Sequence, residues 1–273
     1  MNGLPRFLYG TAWKEERTKG LVKQALAAGF TAIDTANQRK HYFEAAAGEA
    51  AREAIAEGGF TREALFLQTK FTFQGGQDAR LPYDPNAPVA TQVAQSFQSS
   101  LDHFETDYLD SYLLHGPTTR GRLGPDDLEA WRAIEGLAQS GKARHIGVSN
   151  FTLEQLRELL ELSQTKPRFL QNRCYAKTGW DREVRALCRQ QGVVYQGFSL
   201  LTANRRELDA KAFQQLCART GRSSAELVFR FAIEVGMLPL TGTCDVAHMR
   251  LDLNALDFRL ERADVDLIER IAG

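Results

Sequence analysis

The chain predicts the α/β class, as a single (β/α)8 TIM barrel spanning residues 1–273. Three observations carry that expectation. Eight short apolar runs of strand length succeed one another along the sequence. Stretches with helical period separate them, and near-continuous apolar strands alternating with helices make a parallel sheet covered by helices. The length of 273 residues suits eight such units in one barrel. An open doubly wound sheet is the rival, but no G-x-G-x-x-G turn follows the first run.

In order, the strand-like runs are "FLYG", "TAID", "LFLQT", "YLDSYLL", "ARHIGV", "RFLQN", "VVYQG" and "MLPL". Between the third and fourth, Val89, Val93, Phe97 and Leu101 recur every four residues, as one face of a helix does. After the fifth, Leu153, Leu156, Leu159 and Leu160 repeat the pattern, and Thr152 with Gln155 fits a capping box. Two Gly/Pro-rich loops interrupt the alternation, "QGGQDARLPYDPNAP" after the third strand and "GPTTRGRLGP" after the fourth. Both exceed a typical βα loop, which marks them as candidate binding loops.

Composition narrows the function. Thirty-four basic residues balance 34 acidic ones, so the electrostatic footprint for nucleic acid or an anionic membrane is missing. No stretch approaches the ~20 apolar residues of a membrane span, and "MNGLPRFLYG" does not read as a signal peptide. A cytoplasmic location is expected. Cys174, Cys188, Cys217 and Cys244 are scattered without a C-x-x-C pair and are expected to be reduced and buried. The five histidines form no H-x-H or H-E-x-x-H, so no metal is expected.

Chemistry in a barrel sits at the C-terminal ends of the strands. Those ends carry Thr11, Asp34, Lys70, His115, Ser149 with Asn150, Gln171, Ser199 and Thr241. Polarity alone accounts for Thr11 or Ser199. It accounts poorly for Asp34, Lys70 and His115 together, because charged groups there must be paired or wet. Asp34 and Lys70 come from neighbouring strands, which suits an ion pair. A lysine beside a tyrosine lowers the phenol pKa from ~10, and such a tyrosine can exchange protons as a general acid. No protein group here donates hydride, so a redox site requires a nicotinamide or similar cofactor.

These residues resemble the aldo-keto reductase family over essentially the whole chain. The resemblance rests on "GTAW", on "AIDTA" followed by a tyrosine and "GEA", on "LFLQTK", and on the long matches "SLDHFETDYLDSYLLHGP" and "SGKARHIGVSNF". It implies a barrel that reduces an aldehyde or ketone with NADPH, NADH being the second coenzyme. Hydride would come from the nicotinamide C4 to a small-molecule carbonyl substrate. Asp34, Lys70 and His115 match three members of that family's catalytic tetrad. Ser149, Asn150 and Gln171 match its carboxamide-binding residues, and Phe198 falls where an aromatic ring stacks on the nicotinamide. Ser199, Leu201 and Asn204 fall in the loop over the pyrophosphate, and Gly10 and Thr11 of the first-strand motif, with Asp34, would also contact the coenzyme. Trp13, with Tyr42 and His115, would face the substrate.

Two departures stand out. The family spacing D-x-x-x-x-Y lands on Arg39, which has no proton to give at useful pH. Tyr42 is the expected donor through a rebuilt loop, with His41 as competitor, its ordinary pKa near ~6.5 making it competent. At the last strand, Leu240 stands where many members carry a lysine. Backbone amides of Thr241, Gly242 and Thr243 remain to cradle phosphate, with His248 and Arg250 as nearby positive charge. The short C-terminus leaves the substrate pocket to the third and fourth βα loops. Against the reductase stand a redox-sensing nucleotide-binding module with little turnover, kept open by the displaced tyrosine, and a Schiff-base lyase using Lys70.

Overall fold

The computed structural model describes residues 3–272, so both extremes of the 1–273 span lie outside it. All eight apolar runs are strands: β1 (Leu8–Gly10), β2 (Ala32–Asp34), β3 (Phe66–Phe71), β4 (Leu109–Leu114), β5 (Ala143–Ser149), β6 (Phe169–Arg173), β7 (Val194–Phe198) and β8 (Met237–Thr241). They pair in parallel in sequence order, and β8 closes on β1. Eleven α-helices are described. They are α1 (Thr18–Ala28), α2 (Glu44–Ala56), α3 (Val89–Phe104), α4 (Pro125–Gln139), α5 (Leu153–Leu162), α6 (Arg182–Gln191), α7 (Arg205–Leu208), α8 (Lys211–Thr220), α9 (Ser224–Glu234), α10 (Val246–Leu253) and α11 (Arg262–Glu269). None is long and apolar enough to cross a membrane.

The helix periodicities read from the sequence locate the outer core. Val93, Phe97 and Leu101 of α3 are buried, and Phe97 packs edge-on against Tyr112 of β4. The expected capping box opens α5, with Thr152 Oγ1 accepting from the Gln155 amide and Gln155 Oε1 accepting from the Thr152 amide. Gly48 lets α2 meet α3 closely, since a Cβ there would lie 2.1 Å from the His103 carbonyl oxygen.

Inside the barrel, Leu8, Ala32, Phe66, Leu113, Phe169, Val194 and Leu238 form an apolar plug. Above it the interior turns polar. Gln68 Nε2 donates to Asp34 Oδ1 at 2.7 Å and to Gln196 Oε1 at 2.8 Å. Gln171 Nε2 donates to the same two acceptors, each at 2.9 Å. Hydrogen bonding across the barrel is what makes burial of these amides tolerable. The apolar plug and this belt form the floor on which the rim residues stand.

The two long loops do different work from that expected. Neither contributes to the wall of the rim cavity. The first folds back on β3, its Tyr83 hydroxyl donating to the Thr72 carbonyl at 2.8 Å. The second is tied down by Asp127, which accepts from the Thr118 amide and hydroxyl, and by Glu158, which pairs with Arg122.

Candidate active site

A cavity of about 1220 Å³ opens at the C-terminal end of the barrel. At its floor, Asp34 and Lys70 form a buried ion pair, with Lys70 Nζ 2.8 Å from each carboxylate oxygen. The third ammonium proton goes to the Thr35 carbonyl at 2.7 Å. Such a pair is tolerated in the interior only because its remaining hydrogen bonds are made, here by Gln68 and Gln171 on Asp34.

Tyr42 and His115 stand over that pair. Their ring centroids are 5.8 Å apart in an edge-to-face arrangement, and Lys70 Nζ lies 5.3 Å from the Tyr42 ring centroid. The expectation that Lys70 acidifies the phenol is corrected here. Burial, and then the Asp34 carboxylate, push the Tyr42 pKa well above its usual 10.0, and the three Lys70 protons are engaged elsewhere. Tyr42 is therefore a neutral, protonated phenol. His115 is driven down to about 3 by burial first, then by the charges of Lys70 and His41, so its imidazole is neutral as well.

The turn after β2 explains how the displaced tyrosine arrives. The amides of His41 and Tyr42 both bond to the Gln38 carbonyl, folding the extra residues into a tight turn. Arg39, at the family spacing, leaves the site. Its guanidinium lies 3.9 Å from the Phe43 ring centroid and 3.0 Å from Glu16. His41 stacks on the exposed Trp13, centroids 4.0 Å apart, and its carbonyl accepts the Trp13 amide at 2.7 Å. His41 thus sits at the cavity wall, while Tyr42 stands by the ion pair.

The rest of the cavity wall mixes apolar and polar residues. Gly10, Ser149, Asn150, Gln171, Phe198, Ser199, Leu201, Thr241, Gly242 and Thr243 all line it, as expected. Trp13, Asn150 and Ser199 have left-handed backbones, with φ of 61°, 60° and 56°. Each costs ~1–3 kcal/mol and persists only where surroundings fix it, a pattern that concentrates at functional sites. Asn150 is fixed by its Nδ2, which donates to the His115 carbonyl at 2.8 Å and to Ser149 Oγ at 3.1 Å.

Thr11 and Asn204 do not reach the cavity. Thr11 is fully buried, its hydroxyl donating to the Asp34 carbonyl. Asn204 is buried with its whole amide engaged, accepting from the Ala176 amide and donating to the carbonyls of Cys174 and Leu200. It pins the loop after β7 in place. Of the two basic residues expected near β8, His248 lines the cavity and Arg250 does not.

Sequence reading missed Lys14 and Asp252. Lys14 is nearly buried, its Nζ 2.7 Å from the Gly242 carbonyl and 3.8 Å from Cys244 Sγ, and burial lowers its pKa. Cys244 is accordingly an exposed wall residue and not a buried one. Asp252 is buried at the same end, accepting the Thr241 hydroxyl at 2.7 Å, and burial raises its pKa to about 6. The only sequence signal for Lys14 was its place directly after "GTAW".

These residues fit a nicotinamide dinucleotide. Asn150 and Gln171, whose amide nitrogens donate within the protein, line the cavity together with Phe198, and Lys14, Arg173 and Arg205 give the wall positive charge.

Comparison with known proteins agrees. The model of the Aldo/keto reductase family matches residues 8–272. A glyoxal reductase of Bacillus subtilis is 30% identical over 251 residues, covering 92% of this chain and 82% of that one. The crystal structure of an aldo/keto reductase from Brucella melitensis aligns with a TM-score of 0.82 at 26% identity, covering 98% and 94% of the two chains. The Bombyx mori aldo-keto reductase in complex with NADP aligns with a TM-score of 0.81, also at 26% identity, covering 98% and 89%.

Proposed function

The chain belongs to the aldo/keto reductase family, and we propose that it catalyses NAD(P)H-dependent reduction of a small aldehyde or ketone, with Tyr42 as proton donor. One observation carries this reading. A neutral phenol and a neutral imidazole stand side by side over a buried lysine–carboxylate pair, on the wall of a cavity that suits a dinucleotide.

A bound coenzyme supplies the hydride that the carbonyl carbon receives. Everything else falls to the chain's own residues. The carbonyl oxygen is received between the Tyr42 hydroxyl and the His115 ring, where a donor strengthens as negative charge develops on that oxygen. Tyr42 then gives up its proton. The phenolate that forms lies beside the Lys70 ammonium, which Asp34 holds in place. Asn150 and Gln171 orient the carboxamide, Phe198 offers a stacking face, and Lys14 with the backbone at Thr241–Thr243 holds phosphate. NADPH is the expected coenzyme, with NADH accepted.

Two relatives support a carbonyl substrate, the Bacillus glyoxal reductase and an NADPH-dependent alpha-keto amide reductase of Saccharomyces cerevisiae. Coenzyme oxidation in the presence of 4-nitrobenzaldehyde tests the proposal. Turnover that disappears in Tyr42→Phe supports it. Coenzyme binding without turnover of any carbonyl would instead fit a sensing module. A Schiff-base role for Lys70 is disfavoured, because its amine is fully buried and bonded to Asp34 and Thr35.

A further inference from the structure

His115 can donate to a carbonyl oxygen only from the nitrogen that bears its single proton, so its tautomer decides whether the site works. The residue that contacts the Nδ1 edge of the ring is Thr72, just beyond β3. Its Oγ1 lies 2.7 Å from His115 Nδ1, and the residue is almost wholly buried. Both partners are held from behind. The Thr72 carbonyl accepts from the Tyr83 hydroxyl, and the His115 amide donates to the Phe71 carbonyl at 2.8 Å.

A threonine hydroxyl can donate or accept, which leaves two arrangements open in principle. Among the described residues, Oγ1 has no acceptor other than His115 Nδ1. If Nδ1 carried the proton, the hydroxyl hydrogen would be left without a partner in a buried position, which is unfavourable. If the hydroxyl donates to Nδ1, every buried group there is satisfied and the imidazole proton sits on Nε2. Nε2 has no partner among the described residues, and His115 lines the cavity beside Tyr42.

We propose that Thr72 is a positioning residue for carbonyl reduction: its hydroxyl fixes His115 as the Nε2–H tautomer and so aims a hydrogen-bond donor at the substrate oxygen. The kinetic part of the inference rests on the reductase reading above, but the tautomer itself does not.

The experiment therefore has two arms. Long-range ¹H–¹⁵N correlation spectra of the uniformly labelled protein, with His115 assigned by its absence in His115→Gln, report which nitrogen is protonated. A bare Nδ1 and a protonated Nε2 are expected in the wild type, and a protonated Nδ1 would overturn the proposal. In the second arm, isosteric Thr72→Val should lower kcat about tenfold or more, the factor set by one lost hydrogen bond. Its NADPH dissociation constant, read from fluorescence quenching, should stay within about twofold of wild type, and Thr72→Ser should restore kcat. Equal activity in Thr72→Val, or equal impairment in the valine and serine variants, would also overturn it. If Thr72→Val does not fold, the wild-type spectrum decides. A wild type that reduces no carbonyl would defeat the reductase reading and leave the spectral arm to judge Thr72.

Discussion

Lys70 binds both oxygens of Asp34 at 2.8 Å and gives its remaining proton to the Thr35 carbonyl, so none is left for the Tyr42 hydroxyl. In the proposed mechanism the lysine would act on the tyrosine through space, its charge favouring the phenolate against the burial and the Asp34 carboxylate that raise the phenol pKa.

Replacing Lys70 by Met should cripple turnover and loosen the fold together. Breaking a buried ion pair by removing one partner typically costs ~3–5 kcal/mol, because the other charge is stranded. Unfolding in urea should show that loss even where no substrate is present. Because the charge acts only through Tyr42, the double variant Lys70→Met/Tyr42→Phe should be little slower than Tyr42→Phe alone. Losses that multiply in the double variant would show that the two residues act independently.

Tyr42→Phe should lower aldehyde turnover by ~10²-fold or more, the usual range for a general acid, with coenzyme affinity unchanged. His41→Ala should cost far less, since His41 stacks on Trp13 at the cavity wall. The pH profile separates the two donors independently. Tyr42 has a raised pKa and stays protonated at neutral and alkaline pH, while His115 at about 3 stays neutral. kcat for the chemical step should thus be flat from roughly pH 6 to 9. The His41 pKa is lowered from 6.5, chiefly by burial, so a protonated His41 donor would make the rate fall continuously as pH rises through neutrality.

Much of the fold and of the site's charged floor is legible in the sequence. The eight strands followed from short apolar runs, and Asp34, Lys70 and His115 from charge placed at strand ends, where burial demands partners. Tyr42 is less legible, because its place depends on how the loop after β2 folds, and the turn on the Gln38 carbonyl brings it beside the ion pair. Asn204 and Thr11 misled, since a polar residue near a strand end serves equally to tie loop backbone, and sequence does not say which way its side chain points. Gln68 and Gln196 were invisible as a pair. They lie 128 residues apart and meet only because the barrel closes.

Behind the site, Glu44 of α2 is buried and bonded to Ser100 and to His103 Nδ1, at 2.7 Å to the histidine, and it also pairs with Thr69. Burial opposes the charged imidazole, but the Glu44 hydrogen bond and charge outweigh it and raise the His103 pKa above 6.5. A folded-state pKa above the unfolded value gives stability that is complete below pH ~6.5 and is lost as pH rises through the folded value. His103→Gln should therefore be clearly less stable than wild type near pH 6, with the gap closing towards pH 9. Thermal unfolding of both proteins across that range is the measurement, and a gap that widens with pH would contradict the assignment.

The last consequence concerns coenzyme choice at the β8 end of the cavity. A hydrogen bond to a charged group is worth ~1.5–3 kcal/mol, or roughly 10- to 100-fold in affinity. Leu240 offers no such bond, and the Lys14 ammonium, which gives one proton to the Gly242 carbonyl, is left as a basic group at that end for either coenzyme. Asp252 adds opposition. Its pKa is raised to about 6, so at pH 8 it is ionised, and it lines the same end of the cavity as Thr241–Thr243. NADPH should therefore be favoured over NADH by less than about 100-fold in kcat/KM. Asp252→Asn keeps an acceptor for the Thr241 hydroxyl while removing the charge, and at pH 8 it should shift the NADPH to NADH affinity ratio several-fold towards NADPH. Lys14→Met should weaken both coenzymes. kcat/KM with each coenzyme and one aldehyde at fixed salt reads the preference, and titration of each coenzyme reads the two variant effects. A wild-type preference above about a thousandfold, or ~4 kcal/mol, would mean that the charge balance at Leu240, Lys14 and Asp252 does not set the choice.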